Sequence, residues 1–212
     1  MKIALVAWGY VPEPPLSHSV LTVINESKSF LEKIGHQVDI LNDKDVNKVI
    51  EHINNNYDFV HLHAYSFVSD FNRKFKQKYC FTCHDGYLFK TNKWNEEFRE
   101  AFQHYFAAPG IIALSHLTKD FLLNSGYSGY ISVQVNGIDT QKVNFQAKGN
   151  NKAICLGWIQ PRKQQKLLAK IIDGKIGIDF VGPLDDPDFV EGTTTKYLGV
   201  WSLEQVYFRL TD

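Results

Sequence analysis

Three cysteines are all the chain has, Cys80, Cys83 and Cys155, in 212 residues. An odd, sparse set does not describe a disulfide framework, and a chain of this length buries enough surface to fold without one. Reduced thiols and a cytoplasmic setting are the expectation. There is no excess of either charge: 23 Lys and Arg face 23 Asp and Glu. That removes the electrostatic footprint of a general nucleic-acid binder, so no nucleic-acid partner is expected. No apolar run approaches the roughly 18 residues needed to span a bilayer. The opening Met1–Trp8 run lacks the longer apolar region and cleavage site of a signal peptide. Two nucleotide motifs are missing as well. The loop after the first apolar run holds one glycine, Gly9, and three prolines, not G-x-G-x-x-G. No G-x-x-x-x-G-K-[ST] occurs anywhere. Ordinary dinucleotide binding and P-loop hydrolysis are therefore disfavoured.

What is present is an alternation of short β-rich runs and amphipathic stretches. Strand-like runs fall at 2–8, 37–41, 58–62, 79–83, 111–114 and 130–135. Helical periodicity fills 19–34, 43–54, 67–77, 93–106 and 115–124, with Ser115 placed to cap the last. This order predicts an α/β fold, a Rossmann-like parallel sheet with helices on both faces. Polar residues at 136–151 mark a join, after which a shorter strand–helix cycle begins. The boundaries expected are a first domain at 1–140, a linker at 141–152 and a partial second Rossmann-like domain at 153–212. No internal repeat or low-complexity tract is visible.

Ligands of open α/β sheets bind beyond the carboxyl ends of the strands, so the loops there are the ones to read. In the first loop Gly9, Tyr10, Ser17, His18 and Ser19 form a proline-stiffened wall before a helix. The N–H groups near Ser17, His18 and Ser19 suit an anion, or simply begin the helix. Cys80-Phe81-Thr82-Cys83-His84 matches C-x-x-C-H formally, but cysteines in a buried-looking strand read more simply as core residues than as haem or zinc ligands. His84 ends the fourth strand, followed by Asp85 and Gly86. A histidine there can donate hydrogen bonds to hydroxyls or oxyanions in the crevice. His63 has some access to the same crevice; His61, on the same strand side, reads as structural. Arg73, Lys74, Lys76 and Lys78 form a basic cluster. It suits either solvent or peripheral contact with an anionic membrane at its inner face. In the second cycle Gly157 ends a strand and Pro161-Arg162-Lys163 opens a helix. Two cations at a helix N-terminus oppose its dipole, so they either face an anion such as a nucleotide diphosphate or are simply exposed to solvent.

Taken in order, these pieces resemble the retaining glycosyltransferases of GT-B fold, of the broad family-4 type. The carriers are Gly35-His36-Gln37-Val38, Asp58-Phe59-Val60-His61-Leu62-His63, Thr82-Cys83-His84-Asp85, Ala113-Leu114-Ser115, Asn136-Gly137-Ile138-Asp139, Gly157 through Lys163, Val181-Gly182-Pro183 and Tyr197-Leu198-Gly199. The resemblance implies an acceptor-side first domain and a donor-binding second one, with transfer in the cleft. By it, His84 touches the donor sugar and stabilises the transition state. Lys163, with Arg162, neutralises the leaving diphosphate, and Gly157 belongs to the same donor site. His63, Asp85, Asn136 and Gly137 become cleft candidates. No metal and no cofactor are expected beyond a nucleotide sugar as co-substrate. The acceptor is a glycan, a lipid or a small molecule, and the oligomeric state is left open. Three positions depart from the family pattern. His18-Ser19 stands where paired glycines are usual, Trp158 where an arginine is usual, and no Glu-x7-Glu segment follows. The expectation is that the chain is a fragment, weakly active or inactive alone. The competing reading is a non-catalytic module of the same fold that binds a glycan or a partner.

Overall fold

The structure, a computed structural model, describes residues 1–8, 19–54, 56–84, 103–137 and 152–209. The chain divides into two compact units, Met1–Ile138 and Asp139–Asp212.

The first unit is a six-stranded sheet, β1 (Lys2–Val6), β2 (Gln37–Leu41), β3 (Phe59–Leu62), β4 (Tyr79–Cys83), β5 (Gly110–Ala113) and β6 (Tyr130–Val133). The strands lie in the order β2-β1-β3-β4-β5-β6, and every pairing is parallel. Parallel strands need crossovers, and the intervening segments supply them. They are α1 (Ser19–Lys33), α2 (Val46–Ile53), a 3₁₀ turn at Tyr65–Phe67 running into α3 (Val68–Lys74), a helix α4 described over 103–107, and α5 (His116–Asn124). Asp45 caps α2 by accepting from Asn47 and Lys48 N–H groups. Ser115 caps α5 by accepting from the Thr118 N–H at 3.1 Å, as its place after a strand predicted.

The strand period of two sorts β1 into opposite faces. Ile3, Leu5 and Ala7 pack with Val38 of β2 and Val20 and Ile24 of α1. Ala4 and Val6 join Val60, Leu62, Phe81 and Ile111, covered by Val49, Ile50 and Ile53 of α2 and by Phe71 and Tyr105. Helices on both faces are thus in place, and each fully buried large apolar side chain contributes about 1.5–3 kcal/mol of transfer free energy. Within the basic cluster, Arg73 and Lys74 both pair with Asp70, at 2.6 and 3.5 Å.

The second unit is a three-stranded parallel sheet in the order β7 (Lys152–Leu156), β8 (Gly177–Val181), β9 (Thr195–Tyr197). It carries α6 (Gln165–Ile172) and α7 (Leu203–Arg209). Its core is small: Ile159, Ala169, Ile178 and Phe180, with Phe189 and Tyr197 packed against them. No helix among the described residues is long and apolar enough to cross a membrane.

Candidate functional site

In the first unit the chain leaves β1 toward β2 on one side and reaches β3 on the other. The carboxyl ends of β1 and β3 therefore form a topological switch point, where open sheets leave a crevice. Trp8 follows β1 there. It is 38% exposed, with its ring stacked on buried Phe67 at 5.5 Å between centroids. Beyond β3, the His63 N–H continues the ladder to the Val6 carbonyl at 2.9 Å.

The face of β3 and β4 that carries His61 is polar where its neighbours are apolar. His61 sits beside Leu5 on one flank and Cys80 on the other. Its Nε2 shares a 2.6 Å hydrogen bond with Thr82 Oγ1, a buried hydroxyl. One step along the strands, His63 Nδ1 and His84 Nε2 share a 2.8 Å bond. The two bonds are the same diagonal, each spanning 21 residues of sequence. The rings follow suit: His61 and His63 lie 4.1 Å apart, and His63 and His84 stack at 5.2 Å. His63 is only 1% exposed, and its Nε2 is a buried atom with no hydrogen-bond partner. Burial, then the neighbouring His84, pulls the His61 pKa down to about 4. Burial, then His61 and His84, holds His63 well below the usual histidine range. Removal of water disfavours the charged ring, so both stay neutral at neutral pH.

The cysteines do not extend this cluster into a metal or haem site. Cys83 belongs to the apolar face with Phe81, while Cys80 lies on the other face. Burial raises the Cys80 thiol to about 12 against a smaller opposing effect of a backbone hydrogen bond. That is the wrong direction for a thiolate ligand or nucleophile. Among the described residues no group of His, Cys, Asp and Glu is arranged to hold a metal ion.

The carboxyl edge of the second sheet is built from backbone. Gly157, Gly182 and Gly199 follow β7, β8 and β9 in turn, all at positive φ (127°, 137° and 78°). A Cβ on Gly182 would fall 2.3 Å from the Gly157 carbonyl oxygen, so glycine is required there for close backbone approach. A Cβ on Gly157 would meet Lys163 Nζ at 3.4 Å, which places that ammonium over the end of β7. Loss of hydration, then the charge of Arg162, lowers the Lys163 pKa, with Cys155 acting the other way. An anion arriving at this edge would favour the charged ammonium.

One expectation is corrected here. Pro161, Arg162 and Lys163 do not open the helix. They form a separate 3₁₀ turn, and Gln164 follows at φ 59°, ψ 25°, so α6 begins only at Gln165. The left-handed residue breaks the hydrogen-bond run, and the cations stand one turn ahead of α6 rather than on its first N–H groups. The macrodipole argument for an anion therefore falls away; the placement of Nζ over Gly157 takes its place. The loop is held by a residue the sequence did not single out. Gln165, 5% exposed, accepts from the Gln160 N–H and donates to the Trp158 carbonyl, both at 3.0 Å.

The other expected site residues are dispersed. Asn136 and Gly137 are exposed beyond the end of β6, two strands from β4. Ser19 begins α1. Gly9, Tyr10, Ser17, His18 and Asp85 lie outside the described residues, as does most of the 141–152 linker. Sequence reading missed the Trp8–Phe67 stack and the Thr82 partner of His61. A signal existed for the second: Thr82 shares the strand parity of Cys80 and His84, which puts it on the histidine face.

Comparisons with known proteins agree with this architecture. The sequence model of Glycosyltransferase Family 4 matches residues 37–142, half of the chain. No curated protein matches the sequence. Among solved structures, Anabaena HepE in complex with UDP and glucose is 15% identical, with a TM-score of 0.69 over 95% of this chain and 70% of that one. An E. coli trehalose-6-phosphate protein bound with UDP-2-fluoro glucose is 11% identical, with a TM-score of 0.58 over 100% and 77%. The DNA-modifying enzyme β-glucosyltransferase is 16% identical, with a TM-score of 0.55 over 99% and 68%. At these identities the likeness is one of fold, that of GT-B glycosyltransferases with their Rossmann-like sheets. With the family's own sequence pattern running from β2 to the end of the first unit, the chain belongs to Glycosyltransferase Family 4.

Proposed function

We propose that the protein transfers a sugar from a nucleotide-sugar donor to a glycan, lipid or small-molecule acceptor, with retention of anomeric configuration. The observation that carries this reading is His84. In a member of this family, it ends a central parallel strand and is held by a 2.8 Å bond from a fully buried neighbour. That arrangement fixes a hydrogen-bonding ring at the strand end, where α/β sheets place their chemistry. Preorganised donors of this kind stabilise charge as it develops, without reorganising at the moment of reaction. On the second unit, Lys163 is the group we assign to the leaving diphosphate, with Arg162 beside it. The glycine edge at Gly157 and Gly182 lets phosphate oxygens approach backbone. Structures of similar fold have been solved with UDP, UDP-glucose and UDP-2-fluoro glucose, which supports a uridine nucleotide as the first donor to try.

The test is turnover of a nucleotide-sugar panel, with product configuration read by NMR. His84→Ala is expected to lower kcat by about a hundredfold, the size of one lost transition-state donor. Failure of every nucleotide sugar to bind or turn over, or an unimpaired His84→Ala, overturns the reading. Acceptor binding with no donor binding would point instead to a glycan-binding module.

A further inference from the structure

We propose that His63 is a positioning residue that fixes the tautomer of His84, so that His84 carries its proton on Nδ1 and serves as a hydrogen-bond donor. The role in catalysis rests on reading His84 as the group that meets the donor sugar.

The argument is proton bookkeeping. A neutral imidazole has one N–H and one bare nitrogen. His63 is sealed from water at 1% exposure, and of its two nitrogens only Nδ1 has a partner, His84 Nε2 at 2.8 Å. If His63 carried its proton on Nε2, a buried N–H would have no acceptor. Orphaned buried N–H groups are rare because they forfeit a strong hydrogen bond to water, whereas a bare ring nitrogen is the weaker loss. The proton of His63 therefore belongs on Nδ1, where it donates to His84. An acceptor at His84 Nε2 is a nitrogen without a proton, so the proton of neutral His84 is on Nδ1. The tautomer of each ring is set by the bond the other makes.

The shared bond itself leaves no room for a second proton between the two rings. Adding a proton to His84 Nε2 would set two N–H groups against each other across 2.8 Å, unless His63 moved its own proton to the partnerless Nε2. Burial acts in the same direction on His63 and on His61 behind it. The groups facing His63 are His84 on β4's end and His61 on its own strand, with Thr82 engaged by His61. Among the described residues none is a carboxylate that would favour an imidazolium. His84 is thus kept as a hydrogen-bond donor at Nδ1, not as a proton-abstracting base.

The experiment reads ring nitrogens directly, by two-bond ¹H–¹⁵N correlation on the histidine-labelled protein without substrate. Both His63 and His84 are expected to be protonated at Nδ1 and bare at Nε2. His84 found protonated at Nε2, or His63 found protonated at Nε2, overturns the proposal; this measurement needs no variant. His63→Leu is expected to release His84 to the Nε2-protonated form, while His63→Asn, which keeps an N–H near the Nδ1 position, holds it. A His84 tautomer indifferent to both changes also overturns it. In turnover, His63→Leu should lower kcat by at least about tenfold with donor KM little changed, and His63→Asn should recover part of the loss. The spectra decide the tautomer whether or not a nucleotide sugar is turned over, so failure of the proposed function and failure of this inference are separate results.

Discussion

The two parallel sheets of this protein end in different chemistry. The first ends in titratable rings and aromatic side chains, the second in glycines and an ammonium. All eight histidines of the chain lie in the first unit, at or before His116, and the second has none. The difference shows two ways of building a strand end. One buries side chains so that their protons are fixed. The other removes side chains and leaves backbone with the Lys163 ammonium over it.

The sharpest way to break this contrast is to give the second edge a side chain. Gly182→Ala puts a Cβ against the Gly157 carbonyl at a backbone angle that side chains rarely adopt. A loss of about 3 kcal/mol or more is expected, confined to the second unit and measured by denaturant unfolding with hydrogen exchange on each unit. Unchanged stability would mean that the glycine edge is not a close-packed device.

Next in size is acid. His61 binds a proton less readily folded than unfolded, with its pKa near 4 against an ordinary 6.5. Its contribution is whole above about pH 6.5 and is lost as pH falls toward 4, on the order of 2–3 kcal/mol. His63 adds in the same direction. The second unit responds lower. Backbone N–H groups of Thr194 and then Thr193 hold Asp173 near 2 against 3.8, opposed by desolvation and helped to a smaller degree by the two hydroxyls. That contribution persists above about 3.8 and fades toward 2. Stepwise acidification followed by NMR should weaken the first unit before the second. Simultaneous loss would contradict the separation.

Lys163→Ala tests whether the second edge works through charge. Donor affinity should fall about tenfold to a hundredfold, by calorimetry, with the first unit's stability unchanged. The smallest effect is expected from Thr82→Val, which leaves His61 Nε2 buried without its partner. A cost of about 1–2 kcal/mol in the first unit is expected from chemical denaturation.

Most of the fold was legible because period-two and period-3.6 patterns report directly on burial. QVDIL, YCFTC and the capped helix after Ser115 all lie within a residue of their expected limits, and the first strand, expected over 2–8, ends two residues earlier at Val6. The helix expected to open at Pro161-Arg162-Lys163 begins only at Gln165, since nothing in Gln164 announces a left-handed residue. The site was half legible. His84 at a strand end and Lys163 after Gly157 could be named from position. The His63–His84 bond could not, because it depends on how far β4 slides along β3, and sequence does not state registers.

That sliding gives the histidine face a consequence for folding itself. A one-residue slip between parallel strands turns every side chain to the wrong layer, and hydrophobicity rejects it. A two-residue slip keeps every side chain in its own layer and passes that check. On this sheet such a slip in one direction would set His61 against His84 and strand the Thr82 hydroxyl; in the other it would set His63 against Thr82 and leave His84 without its partner. The paired diagonals therefore act as a vernier on the β3–β4 alignment, penalising misalignments that greasy side chains alone would tolerate.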